Sequence, residues 1–456
     1  MLLAFRKPFF PVAGTLFYLL VLLFAAGCAT YSDRTQRMRS RVATGHYEEG
    51  LDELNALLNV PGAEELPSRW KPGDTLMLLE RGALLQALGR HETSALNFQA
   101  ADDRLEMLDI ANDTAGVIGR YIYSDSATRY KASPTEKLAL NTLNLLNHLA
   151  LGNLQGAAVE ARRFTVMRGY LKEMDEAGTH GVAGSYLAGF VFEHLGEMER
   201  ALRHYDDALQ TGPLVTLEEP LKRLAQKSAY RGKRLGVYLE RLEPDRACGL
   251  ASTTGTGEIL TVVNVGRVPH KIPERAPIGA VIGIAGAWIT GDIRVLSRSA
   301  FKTVIYPELA DPGYPPRPVN LKIDGEIVPM DLAGDLSAEL THEYENLKPM
   351  IIGAALSRMI ARAGAAEAIR HRLREESKLL GDIAALTFEG GLVVADKPDT
   401  RSWTLLPARI HVARKRVRAG RHTVDIQLEG HPREVRTREV HVPEGGYAAV
   451  VVTTLR

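Results

Sequence analysis

Between residues 33 and 243 the apolar positions recur at the three-to-four spacing of amphipathic helices, and four glycines punctuate them: Gly45, Gly89, Gly152 and Gly196. The residues after each glycine agree at fixed offsets. Gly50, Ser94, Ala157 and Ala201 are all small; Leu54, Phe98, Ala161 and Tyr205 come next, then Leu57, Ala101, Phe164 and Ala208. A small residue lets two helices approach closely, and the residues four and seven further on fill the groove on the same face. The glycine supplies the turn. The pattern predicts antiparallel helical hairpins stacked side by side, an arrangement whose concave face usually meets a partner. The span from Ile110 to Pro134 does not fit it and reads as an insertion.

The period changes after Arg241-Leu-Glu-Pro244. Thr256 to Val265 is rich in β-branched residues and predicts a strand. Val319 to Ile323 and Glu326 to Val328 flank Asp324-Gly325, a pair that supplies the positive φ angles of a two-residue hairpin turn. Arg409 to Val412, Thr423 to Leu428, Glu434 to Val442 and Tyr447 to Thr453 alternate with Gly-bearing turns and predict an antiparallel sheet or small sandwich. Helical segments at Leu336 to Ala363 and Ala366 to Leu380, with Pro349 as a break, interrupt the strands. The predicted class is α+β multidomain: helical hairpins over 28–243, then a mixed, mainly antiparallel β region over 244–456 with a helical insertion at about 336–380. The apolar, Gly-rich run Ala276 to Trp288, with Arg275 before it, predicts a buried strand and turn; contact with a membrane or partner is its other reading.

The amino terminus adds a location. Arg6 and Lys7 precede the apolar stretch Leu16 to Ala26, and Gly27-Cys28 follows, which is the layout of an export signal. Phe9 to Ala29 carries no charge, so an uncleaved inner-membrane signal anchor is the alternative. Ala25, Ala26, Gly27 and Cys28 resemble the lipobox of bacterial lipoproteins. The resemblance implies cleavage between Gly27 and Cys28 and acylation of Cys28, and Ala29 after it implies the outer membrane. Several acyl chains anchor a protein durably.

Composition excludes other classes. Of 456 residues, 45% are hydrophobic and 24% charged, so the chain is globular rather than disordered or fibrous. Lys plus Arg number 56 against 55 for Asp plus Glu, so no global charge points to nucleic acid. With two cysteines, Cys28 and Cys248, a disulfide framework and a four-cysteine zinc site are excluded. Cys248 reads as a small buried apolar residue.

The chain carries few catalytic or ligand-binding motifs. Gly255-Thr-Gly257 leads into a strand and lacks the third glycine of a dinucleotide fingerprint. His342-Glu343 lacks the second histidine of a zincin, and Ser68-Arg-Trp-Lys71 is flanked by prolines with no Lys-Thr-Gly after it. His411, His422, His431 and His441 fit no metal spacing. No metal site, cofactor or catalytic residue is expected. Three groups are candidate binding residues. Glu160, Arg162 and Arg163 either line a groove as a carboxylate reader or include an intrahelical pair, Glu160 with Arg163. Asp399, Arg401 and Trp403 form either an interface anchor or a core tryptophan with Arg401 paired to Asp396 or Asp399. Arg414, Arg416 and Arg418 share strand parity, as a face for anionic lipid or wall polymer or as an edge charged against aggregation.

Two resemblances complete the picture. Gly189, Phe192, Gly196, Ala201, Tyr205, Ala208 and Pro213 resemble the tetratricopeptide repeat. The whole layout, with Gly152, Val159-Glu-Ala-Arg-Arg163, Gly257-Glu258, Ala395-Asp396, Asp399-Thr-Arg-Ser-Trp403 and Leu406-Pro407, resembles a family of uncharacterised bacterial lipoproteins. That resemblance implies a cell-envelope role beside lipoproteins that activate peptidoglycan synthases. The expected function is a non-catalytic scaffold binding other envelope proteins through the helical repeats, with peptidoglycan as a further partner and no nucleic acid. The alternative is a peptidoglycan-binding or peptidoglycan-modifying protein, with Glu258, Asp396 and Asp399 as its acids.

Overall fold

The computed structural model describes residues 30–107, 130–174, 181–242, 255–297, 302–313, 317–374, 398–430 and 433–456. Eight helices pair as four hairpins: α1 (Tyr31–Ala43) with α2 (Tyr47–Leu58), α3 (Asp74–Ala87) with α4 (His91–Asp102), α5 (Pro134–Ala150) with α6 (Leu154–Met174), and α7 (Val182–His194) with α8 (Met198–Ala208). The turns fall at Gly45, Gly89, Gly152 and Gly196, each at positive φ, where a side chain would strain the backbone. Close approach inside the hairpins has one repeated device. A Cβ on Gly82 would lie 2.5 Å from the Phe98 ring, and one on Gly189 the same distance from the Tyr205 ring. In each hairpin the glycine is the seat for the aromatic ring of the returning helix. A short parallel pair, β1 (Glu106–Met107) and β2 (Lys131–Ala132), lies between the second and third hairpins, and α9 (Glu218–Ala225) and α10 (Lys233–Arg241) close the helical region against α8.

The strands follow: β3 (Thr256–Val265), β4 (His270–Pro277), β5 (Thr303–Ala310), β6 (Val319–Ile323), β7 (Glu326–Val328) and β8 (Asp331–Asp335), with α11 (Ile278–Ala285) between β4 and β5. After α12 (Leu336–Arg374) come β9 (Arg409–Arg418), β10 (Gly420–Leu428), β11 (Glu434–Val442) and β12 (Tyr447–Thr454). One sheet is ordered β11-β10-β6-β7, the other β12-β3-β9-β8, and all pairs in them are antiparallel except β12 with β3. The Asp324-Gly325 turn has φ of 52° and 82°, as the sequence predicts. The class is therefore α+β, helical first and sheet-rich second.

The two sheets face each other over Ile259, Val263, Ala413, Val424, Ile426 and Val452. The opposite face of the second sheet packs on the helices: Leu260, Val262, Ile410 and Val412 join Leu79, Leu143 and Tyr186 in one hydrophobic cluster. Burial on both faces is why β3 reads as a near-continuous apolar run. The inner helices α3 and α5 touch β12, and α7 touches β8. The concave face expected to await a partner is thus occupied by the chain's own sheet, and the outer helices α2, α4, α6 and α8 keep the exposed side.

Two expectations are corrected. Pro349 does not divide the helical insertion; it lies inside the single helix α12, which stays whole because Tyr344, Leu347, Met350 and Ile351 are buried on both sides of it. Residues of the predicted continuation beyond 374 lie outside the described ones. Ala276 to Trp288 is not a buried strand and turn: β4 ends at Pro277, and the run continues as α11 and a 3-10 turn, Gly286–Trp288, with many residues exposed. Ile278, Val281, Ile282 and Ala285 hold the i, i+3, i+4, i+7 spacing of the packed face, a signal masked by the glycines and alanines around it.

Candidate functional site

A cleft of about 420 Å3 opens where α4, α5 and α6 meet, lined by Asp102 of α4, Lys137 and Asn141 of α5, and Arg162, Arg163, Val166 and Met167 of α6. Ala157, Ala158, Ala161 and Phe164 turn the inner side of α6 to the core, which leaves Val159, Arg162 and Val166 on its outer side. Val166 is 75% exposed and Val159 45%. Most charges here are satisfied internally. Asp102 pairs with Lys137 and, at 3.5 Å, with Arg163. Glu160 lies beneath, accepting from Arg163 at 3.1 Å and Asn141 at 3.2 Å. Burial raises the Glu160 pKa against the pull of Arg163. So Glu160 and Arg163 form the predicted intrahelical pair, and Arg162 is the exposed cation beside them, with no hydrogen bond or ion pair among the described residues.

Arg414 and Arg416 share a face, as their parity predicts, but it points inward to the helices rather than out to a polymer. The Arg414 guanidinium binds Glu258 of β3 twice, at 2.7 and 2.8 Å, and also Tyr205 Oη at 2.8 Å and Glu193 of α7 at 3.0 Å. His194 Nε2 approaches Glu258 at 3.3 Å. Burial acts to raise the Glu258 carboxyl, yet Arg414 outweighs it and holds the carboxyl well below its usual range; the same balance lowers Glu193. Arg416 reaches Glu219 of α9 at 3.4 Å, and only Arg418, at the strand end, is exposed. Neither Arg414 nor Arg416 is offered to solvent as a binding face: the acids they meet lie on β3, α7 and α9, far away in sequence.

Asp399, Arg401 and Trp403 follow the second of their two readings, a core tryptophan with Arg401 paired to Asp399. All three are buried, Trp403 completely, so none is an exposed interface anchor. Arg401 grips Asp399 with Nε at 2.9 Å and Nη2 at 2.7 Å. The Trp403 ring meets Phe98 edge-on at 5.7 Å, and the backbone N–H of Trp403 donates to Glu136 Oε1 at 2.9 Å. The next residues are tied to Glu80 of α3, which accepts from Thr404 N, Thr404 Oγ1 and Leu405 N at 2.7, 2.8 and 2.7 Å and from Tyr31 Oη at 3.0 Å. Burial pushes Glu80 up to about 7, opposed by these bonds. The acids proposed for wall hydrolysis are therefore engaged: Glu258 under Arg414, Asp399 under Arg401.

One cluster escaped sequence reasoning. At the start of α12, Asp335, Ala338 and His342 border clefts of about 430 and 800 Å3 that also touch Glu339 and Arg409. Glu339 accepts from Gly181 N at 3.3 Å and Glu343 from Thr135 N at 3.2 Å; burial raises both carboxyls to about 7. The i, i+3, i+4 spacing of Glu339, His342 and Glu343 was the available signal. Among the described residues no three His, Cys, Asp or Glu side chains gather as a metal site, and no helix is long and apolar enough to cross a membrane. Gly27, Cys28, Cys248, Asp396 and His431 lie outside the described residues. The chain matches no family model, no curated protein and no solved structure.

Proposed function

We propose that this is a non-catalytic binding protein of the bacterial cell envelope, held by lipid on Cys28 at the periplasmic face of the outer membrane, and that it engages another envelope protein through the outer side of α6. The observation that carries the reading is Arg162, an exposed cation between the exposed Val159 and Val166 at the mouth of a cleft whose other charges are paired. An arginine flanked by apolar side chains suits a partner carboxylate beside an apolar contact, because desolvation by the valines strengthens the charge-assisted hydrogen bond. The internal pairing of Glu258 and Asp399 supports binding over wall hydrolysis.

A photo-crosslinking residue at Val166, in the living envelope, is expected to give one discrete adduct that Arg162→Glu abolishes. A crosslinker at the exposed Val435 of β11 serves as the control. No adduct at Val166, or one indifferent to Arg162, sinks the docking surface. Palmitate labelling tests the anchor separately, since Cys28→Ser removes the thiol to be acylated.

A further inference from the structure

The hairpin β4–β5, with α11 between its strands, leans on α12 and has a hydrophobic cluster of its own: Val281, Ala285, Leu296, Tyr306, Met350, Ile351, Leu356 and Ile360. Only one side of α11 is used in that packing. Ile284 is 45% exposed, Trp288 37% and Ile293 39%, and Gly279, Ala280, Gly283 and Ala287 between them are exposed as well. From Ala276 to Gly291 there is no charged side chain and Thr290 is the single polar one. An exposed apolar surface of this kind needs an occupant.

The charges around it state which kind. Exposed Arg275 stands at the end of β4 immediately before the run, and exposed Arg294 follows it, with Asp292 clasped by Arg294 at 3.0 Å. The Ser357 hydroxyl accepts from Thr290 N at 2.8 Å, and a Cβ on Gly291 would meet Ile360 at 2.9 Å, which seats the end of the run on α12. The apolar centre thus has an exposed arginine at each end, with tryptophan between them. That is the composition of an element that lies in a lipid interface: apolar residues enter the acyl region, Trp sits at headgroup depth, and each arginine gains from anionic lipid. We propose that α11 and the turn Gly286–Trp288 dip into an anionic bilayer surface. The proposal rests on the membrane attachment inferred above.

The test uses the full chain reconstituted on vesicles of phosphatidylethanolamine and phosphatidylglycerol, with and without brominated acyl chains that quench tryptophan on contact. The chain has three tryptophans; Trp403 is fully buried and Trp70 lies under Arg104. The expected result is a loss of emission in brominated vesicles that Trp288→Phe abolishes, that Ile284→Asp reduces, and that weakens when phosphatidylcholine replaces phosphatidylglycerol. A chain that survives carbonate washing but stays unquenched overturns this proposal alone, and shielding of Trp288 from iodide in that case assigns the patch to a protein. A chain that is quenched yet washes off overturns the anchor alone. One that never pellets with the vesicles overturns both.

Discussion

The carboxylate of Glu80, in the third helix, accepts the backbone N–H of Leu405 at 2.7 Å across 325 positions of the chain. Together with Thr404 and Tyr31 it makes α3 the place where the segment before β9 is fastened to the helical layer. Every neighbour in that shell donates.

Removing the acceptor leaves those donors buried and unmatched. Glu80→Ala is expected to cost about 3 kcal/mol or more, since each orphaned buried donor costs roughly 1 to 3 kcal/mol. Glu80→Gln is expected to recover only part of it, because its amide faces one of the donors with another. Chemical denaturation of the two variants checks the ranking; equal stability of Ala and Gln forms contradicts it.

Arg414, Glu258 and Glu193 form a buried charge cluster, and breaking one member strands the others. Arg414→Met alone is expected to lose ~3 to 5 kcal/mol, the cost of uncompensated buried charge. The double variant Arg414→Met, Glu258→Met is expected to lose less than the sum of the two single losses, since both charges leave together. A double-mutant cycle measured by urea unfolding reads the coupling, and strict additivity refutes the cluster.

The raised acids fix a pH dependence with a definite sign. Glu80, Glu339 and Glu343 titrate near 7 in the fold and near 4.5 when unfolded, so their favourable contribution is full below about 4.5 and is lost as pH rises through 7. Glu434, lowered to about 2 because Arg456 and Arg436 outweigh its burial, acts oppositely: its contribution is present above about 4.5 and fades as pH falls through 2. His204 and His270, both lowered to about 4 by burial, act against this up to about 6.5, so the melting temperature is expected to fall between pH 6.5 and 8. Glu343→Gln, which keeps an oxygen for Thr135 N, is expected to flatten that fall. An unchanged slope in Glu343→Gln removes this residue from the account.

Helical hairpins were legible because their signal is local: glycine at the turn, a small residue, then an aromatic at fixed offset. The strands of the sandwich were legible through β-branching and the Asp324-Gly325 turn. What escaped depends on partners remote in sequence. Nothing near Arg414 names Glu193 or Glu258, so the basic run read as an outward face. Nothing near Trp403 names Phe98 or Glu136, so burial could not be separated from exposure. Pro349 misled for the same reason, since what holds α12 together around it is packing against β5 and α11.

The parallel pairing of β12 with β3 has a consequence for the order of folding. Thr453 donates to Gln86 from 367 residues further along, and β12 is the strand that seats against α3 and α5. The helical hairpins can form as they emerge, from contacts close in sequence, but their inner side stays bare until almost the whole chain has been made. Long-range closure of this sort slows folding and exposes apolar surface meanwhile. The helical layer is thus the part fastest to form and the last to be protected, and a nascent chain stopped short of Tyr447 presents α3 and α5 to whatever holdase attends it.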